Sequence, residues 1–214
     1  MNLLEHLEKT LLLPVVEISS AVDALPLARA LVDGGLPSIE VTFRTDAAAD
    51  AIKAIASELP EVVVGAGTVR STEQADRAVE AGASFLVAPG LHKAVVERAK
   101  ALGVPILPGV CTPTEIEQAL DAGLSLLKFF PAEAMGGVPY LSALAGPYRE
   151  VLFVPSGGIG PANLPTYLAL PNVPACGGSW MVKSSLISSG DFGAVTRLTK
   201  EAVSIAQQAK ELRK

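Results

Sequence analysis

Gly103-Val-Pro-Ile-Leu-Pro-Gly-Val-Cys-Thr-Pro-Thr-Glu-Ile-Glu-Gln-Ala-Leu-Asp-Ala-Gly123-Leu-Ser-Leu-Leu-Lys128-Phe-Phe-Pro131 contains one complete strand–helix–strand unit. Ile106–Pro108 is a short apolar run and predicts a strand. Pro113–Asp121 is an amphipathic stretch and predicts a helix. Gly123 follows the helical stretch, where a left-handed residue lets the chain turn back. Leu124–Phe129 is the next apolar run. Two strands joined by a helix imply a parallel pair, buried on both faces.

The same unit recurs along the chain. Further strands are expected at Val15–Ile18, Ser38–Thr42, Val62–Gly65, Phe85–Ala88, Val151–Val154 and Ala175–Gly178. Helices are expected at Val22–Asp33, Ala47–Leu59, Glu73–Ala81, Ala94–Leu102 and Pro161–Leu168. Gly35, Gly82 and Gly103 end helical stretches as Gly123 does. Eight strands exceed the usual open doubly wound sheet, and the first strand lacks that fold's glycine fingerprint. Gly65-Ala-Gly67-Thr-Val-Arg70 fails the G-x-G-x-x-G pattern at its last position, and there is no P-loop. The expectation is a compact (β/α)8 barrel over residues 1–214. Leu3, Leu4, Leu7 and Leu11 give it an amphipathic N-terminal capping helix.

Composition narrows the function. With 50% hydrophobic and 18% charged residues, the 214-residue chain is not a disordered polymer. A net charge of −5 argues against a nucleic-acid partner. There is no apolar run long enough to span a membrane. The N-terminus has no basic region before an apolar one, so no signal peptide is expected. Two cysteines, Cys111 and Cys176, make no disulfide framework, and the expected location is cytoplasmic. His6 and His92 have no partner at metal-ligand spacing, so no histidine-held metal is expected, and no cofactor is expected either.

In a (β/α)8 barrel, chemistry sits at the C-terminal strand ends. The unusual residues gather there. Lys128 lies inside an apolar strand, where desolvation favours a neutral amine able to attack a ketone. It could equally snorkel to the strand end or pair with a structural carboxylate. In Ser38-Ile-Glu-Val-Thr-Phe-Arg44, the two-residue period puts Glu40, Thr42 and Arg44 on one face. Glu40 suits proton transfer near Lys128, or a structural ion pair with it. Arg44 could clamp a carboxylate or phosphate, or stand exposed at the rim. Thr68 follows a Gly-Ala-Gly turn where polar groups can converge. Ser156-Gly-Gly158 and Gly177-Gly178-Ser179 follow the last two strands, where barrels bind phosphate; ordinary tight turns also use glycine. Cys111 lacks an obvious base, Glu133 reads as a loop residue, and His6 is expected on the polar side of its helix.

Glu40-Val-Thr-Phe-Arg44-Thr, Gly65-Ala-Gly-Thr68, Ala88-Pro-Gly, Lys128-Phe-Phe-Pro-Ala-Glu133, Ser156-Gly-Gly-Ile and Gly177-Gly-Ser-Trp180 together resemble the 2-keto-3-deoxy-6-phosphogluconate (KDPG) and 4-hydroxy-2-oxoglutarate (KHG) aldolase family. The resemblance runs from about Pro14 to Ala206. It implies a metal-free class I aldolase on a (β/α)8 barrel, typically a homotrimer. Its substrates would be KDPG, pyruvate and glyceraldehyde 3-phosphate. By position it makes Lys128 the Schiff-base lysine and Glu40 the general acid/base. Arg44 and Thr68 would hold the pyruvyl carboxylate, and Pro89 and Phe130 would wall the pocket. Gly158, Gly178 and Ser179 would take the phosphate, and Ser156 a substrate hydroxyl. Two residues depart from the family pattern: Glu17 stands where relatives carry an apolar residue, and Ser156 replaces a threonine. KHG as the main substrate, or a non-catalytic barrel binding a phosphorylated metabolite, remain the alternatives.

Overall fold

The computed structural model describes residues 2–212. Residues 1, 213 and 214 of the expected 1–214 domain lie outside that range. The order of elements is α1 (Leu3–Thr10), β1 (Leu12–Val16), α2 (Ala24–Asp33), β2 (Ser38–Thr42), α3 (Ala48–Glu58), β3 (Val63–Gly67), α4 (Thr72–Glu80), β4 (Leu86–Val87), α5 (Lys93–Ala101), β5 (Ile106–Leu107), β6 (Gly109–Val110), α6 (Pro113–Asp121), β7 (Leu126–Phe129), α7 (Gly137–Leu144), β8 (Leu152–Pro155), α8 (Leu164–Leu168), β9 (Cys176–Gly178), α9 (Ser184–Ser188) and α10 (Phe192–Leu212).

Every strand pair is parallel. Instead of one eight-stranded sheet, two curled pieces form, in the orders β5-β4-β3-β2-β1-β9 and β6-β7-β8. The expected fifth strand is divided at Pro108, which has no N–H to donate. Its carbonyl still accepts from Lys128 N at 2.9 Å, linking the fifth strand to β7. A parallel bridge between Ser156 and Gly177 joins the other edges.

Most expected elements lie within a few residues of their predicted bounds, and β2 and α6 match theirs. β1 begins three residues early: Leu12, Leu13 and Pro14 pair with Cys176, Gly177 and Gly178. Pro14 lies inside the strand, where its missing N–H is tolerated. The helix expected from Pro161 starts only at Leu164. The sequence reading did not separate out α7, α9 and the 21-residue α10. Gly123 and Gly103 have φ of +72° and +71°, the left-handed geometry expected after their helices. Thr112 and Glu115 form a capping box at α6.

The core has two parts. The larger fills the space between helices and strands, where Ile39 and Val41 of β2 are buried. The smaller is enclosed by the strands: Leu13, Phe85, Val87, Leu107 and Val154 meet Leu3 and Leu7 of α1. The N-terminal helix therefore closes the interior with its leucine face. His6, expected to face solvent, is instead half-buried, and its Nε2 lies 3.0 Å from Ser38 Oγ. Burial chiefly, and the nearby Lys9 charge, hold its imidazole below the ordinary value of 6.5. Among the described residues no helix is long and apolar enough to cross a membrane.

Candidate active site

Glu40 and Lys128 stand on facing strands above the enclosed leucine layer. Glu40 is the third residue of β2, registered between Val15 and Gly65. Lys128 is the third residue of β7, registered between Gly109 and Val154. Their side chains turn inward, leaving only 2% of Glu40 and 9% of Lys128 exposed. Lys128 Nζ lies 3.6 Å from Glu40 Oε1, an ion-pair separation without a hydrogen bond. Nζ also sits 5.2 Å from the Phe130 ring centroid, on the electron-rich face. Glu40 Oε1 is buried and has no hydrogen-bond partner among the described residues. Gly67 makes this arrangement possible, because a Cβ there would fall 2.2 Å from Glu40 Oε1.

A cavity of about 560 Å³ opens at the C-terminal strand ends. Of the expected site residues, Lys128, Arg44, Phe130, Ser156, Gly158, Gly178 and Ser179 border it. Glu40 borders a smaller space that shares Lys128, Ser156 and Gly177 with it. Thr68 and Pro89 do not line the cavity. Thr68 is one step behind: its Oγ1 accepts from Arg44 Nε at 3.3 Å, and its φ is +58°. The Pro89 carbonyl packs against Gly109, where a Cβ would come within 2.1 Å of it.

Several lining residues were not assigned roles from the sequence. Lys183, between β9 and α9, adds a cation beside the β8 and β9 loops. Nothing in its spacing marked it, because only the turn through Trp180 brings it back to the rim. Trp180 packs over Gly178, where a Cβ would lie 1.8 Å from the indole. Thr42 borders the cavity two residues beyond Glu40 on the same face of β2. Glu17, already set apart in the sequence as a carboxylate that could oppose an anionic substrate, pair with Arg44 or face a helix, also lines it, and it does pair, with Oε2 3.7 Å from Arg44 Nη1.

Other titratable groups have local work. Glu133 accepts from the buried Tyr167 hydroxyl at 2.5 Å, and burial together with this carboxylate raises that hydroxyl's pKa. Burial and Glu115 push the Cys111 thiol up, which makes it a poorer nucleophile. Among the described residues no cluster of three or more His, Cys, Asp or Glu is arranged to hold a metal ion.

A buried amine beside a carboxylate, under a polar cavity, is equipped for imine formation and proton transfer. Comparison with known proteins agrees with this chemistry. The family model described as KDPG and KHG aldolase matches residues 3–198. The chain belongs to the KDPG and KHG aldolase family. Within this family it is 52% identical over 204 residues to 2-dehydro-3-deoxy-phosphogluconate aldolase of Treponema pallidum, covering 95% of this chain and 97% of that one. It is 47% identical over 190 residues to the KHG/KDPG aldolase of Escherichia coli K12, covering 89% of each. Its fold superposes with a TM-score of 0.90 on a crystal structure of KDPG aldolase from Legionella pneumophila, in which pyruvate is captured as a covalent carbinolamine intermediate. That pair is 38% identical, with 94% of this chain and 97% of the other covered.

Proposed function

We propose that this chain reversibly cleaves KDPG to pyruvate and glyceraldehyde 3-phosphate through an imine on Lys128. The observation that carries the reading is the buried Lys128 amine, 3.6 Å from Glu40 Oε1 and bordering the cavity. The Lys128 ammonium passes a proton to Glu40, and the resulting neutral amine attacks C2 of the substrate, its own proton moving to the C2 oxygen to give a carbinolamine. Glu40 protonates its hydroxyl, water leaves, and a protonated imine remains. Glu40 then takes the proton of the C4 hydroxyl. The C3–C4 bond breaks, its electron pair flows toward the imine nitrogen, and the aldehyde departs. The resulting enamine accepts a proton at C3, and hydrolysis releases pyruvate and the free amine.

The substrate lies across the cavity. Arg44, with Thr68 behind it, takes the pyruvyl carboxylate, and Phe130 forms the apolar wall, while Pro89 packs against Gly109 outside the cavity lining. Ser156 contacts a substrate hydroxyl, while Gly158, Gly178 and Ser179 take the phosphate. The two sheet pieces close as one (β/α)8 barrel forming a single domain over residues 1–214. The protein works in the cytoplasm as a homotrimer, without a metal, an organic cofactor or a nucleic-acid partner.

KHG cleavage to pyruvate and glyoxylate is the second reading, favoured by relatives named for both substrates. Comparing kcat/KM for KDPG and KHG decides between them. Borohydride reduction in the presence of pyruvate tests the imine itself. Mass spectrometry should find one pyruvate-derived adduct on Lys128; no adduct would leave a non-catalytic metabolite-binding barrel. Chelator treatment should leave cleavage intact.

A further inference from the structure

We infer that Thr42 is a substrate-binding residue, its hydroxyl donating a hydrogen bond to an oxygen of the pyruvyl group. Thr42 is only 1% exposed, yet its Oγ1 has no hydrogen-bond partner among the described residues. Buried hydroxyls almost always have one, because leaving it unmade costs more than a typical hydrogen bond returns. The side chain nevertheless borders the cavity that holds Lys128 and Arg44. Its neighbour across β3 is Gly67, which has no side chain to meet the hydroxyl. Threonine could bond back to its own backbone in a helix, but β2 is a central strand whose backbone groups are engaged in the parallel ladders.

The position along β2 supplies the ligand class. Glu40 and Thr42 project from one face of β2, about 7 Å apart along the strand, and Arg44 follows in the turn just beyond it, bordering the same cavity as Thr42. Glu40 lies beside the amine that attacks C2, and Arg44 stands where a carboxylate would be clamped. Thr42 lies between them, level with the C1–C2 segment of a 2-oxo acid. A hydroxyl donor there adds a third polar contact to the pyruvyl end, separate from the arginine. This inference rests on the aldolase reading above.

Thr42→Val keeps the shape and removes only the hydroxyl; Thr42→Ser keeps the hydroxyl. The measurement is borohydride-trapped adduct on Lys128 as a function of pyruvate concentration, with Tm recorded without ligand. Half-saturating pyruvate should rise about tenfold or more in the valine variant, the scale of a lost hydrogen bond to a charged group. The serine variant should stay within about threefold of the native protein. The unliganded valine variant should melt no lower than the native protein, since it loses an unpartnered polar atom. A lowered Tm with unchanged half-saturation would make Thr42 structural and overturn the inference. So would unchanged half-saturation with any Tm. If the native protein itself forms no adduct, the aldolase reading fails as well; if it does and only the valine variant behaves natively, Thr42 alone is refuted.

Discussion

Lys128 and Glu40 divide the proposed reaction between an amine that bonds to carbon and a carboxylate that moves protons. Lys128→Met should abolish the borohydride-trapped adduct and lower cleavage at least about 10³-fold, because Lys128 is the buried amine beside the proton-transferring Glu40. Glu40→Gln should behave differently. It should still trap pyruvate, more slowly, while kcat falls by about 10²–10⁴-fold. Glu17 acts on the opposite end of the pyruvyl group. Its carboxylate lies 3.7 Å from Arg44 Nη1, with 43% and 51% of the two side chains exposed. An exposed pair of this kind is worth about 0–1 kcal/mol. A substrate carboxylate must compete with Glu17 for the guanidinium, so Glu17→Gln should lower half-saturating pyruvate by about two- to fivefold. Measured in an Arg44→Gln background, the same substitution should have little effect, since the competition has lost its object. Thr42 was visible in the sequence only as a face-mate of Glu40 and Arg44. Its significance needed the cavity and the unpartnered hydroxyl.

The elements explain what the sequence revealed and what it hid. Ser38–Thr42 and Pro113–Asp121 were legible to the residue, the first from its alternation and the second from its amphipathic pattern ahead of Gly123; the Thr112–Glu115 capping box that starts the helix emerged only in the structure. Pro108 was read as the end of a strand, whereas it divides the fifth strand into β5 and β6. The long α10 lacked a boundary signal in the sequence reading, and its helical face against α2 and α8 is set by packing. The interior role of α1 was partly legible: its leucines were expected to cap something apolar, and Leu7 is fully buried among strand residues. Leu7→Ala should destabilise the fold by about 2–5 kcal/mol in urea unfolding. His6 was misread because one polar residue on a helix resembles solvent-facing residues until its neighbour Ser38 is known. Its folded-state pKa is lowered, so the unfolded chain binds the proton more readily. His6 therefore supports stability above the ordinary imidazole value of 6.5, and that support is lost as pH falls from there through the folded value. Urea midpoints should drop between about pH 7 and 5.5, and His6→Gln should flatten the drop.

At the scale of the whole molecule, the chain carries a net charge of −5 while its proposed substrates are anions. Long-range attraction cannot come from the net charge, so the cavity must supply local cations. Among the described residues three border it: Lys128 at its base, Arg44 at one side, and Lys183 beside the β8 and β9 loops. In the proposed reaction Lys128 serves the carbonyl and Arg44 the carboxylate, so Lys183 is the cation proposed to meet a distal phosphate. That assignment separates the two substrates. KDPG carries a phosphate on its far carbon; KHG ends in a second carboxylate one carbon beyond the cleaved bond and does not extend as far. Lys183→Met should therefore raise KM for KDPG about tenfold, the range for one charge-assisted hydrogen bond, and change KM for KHG by less than about twofold. Inorganic phosphate should compete with KDPG in the native protein and compete less well in the variant, at one fixed ionic strength. Equal losses for both substrates would mean that Lys183 acts as a general positive charge at the mouth and not as a phosphate ligand. No loss for either would move the phosphate contact wholly onto the backbone of Gly158, Gly178 and Ser179.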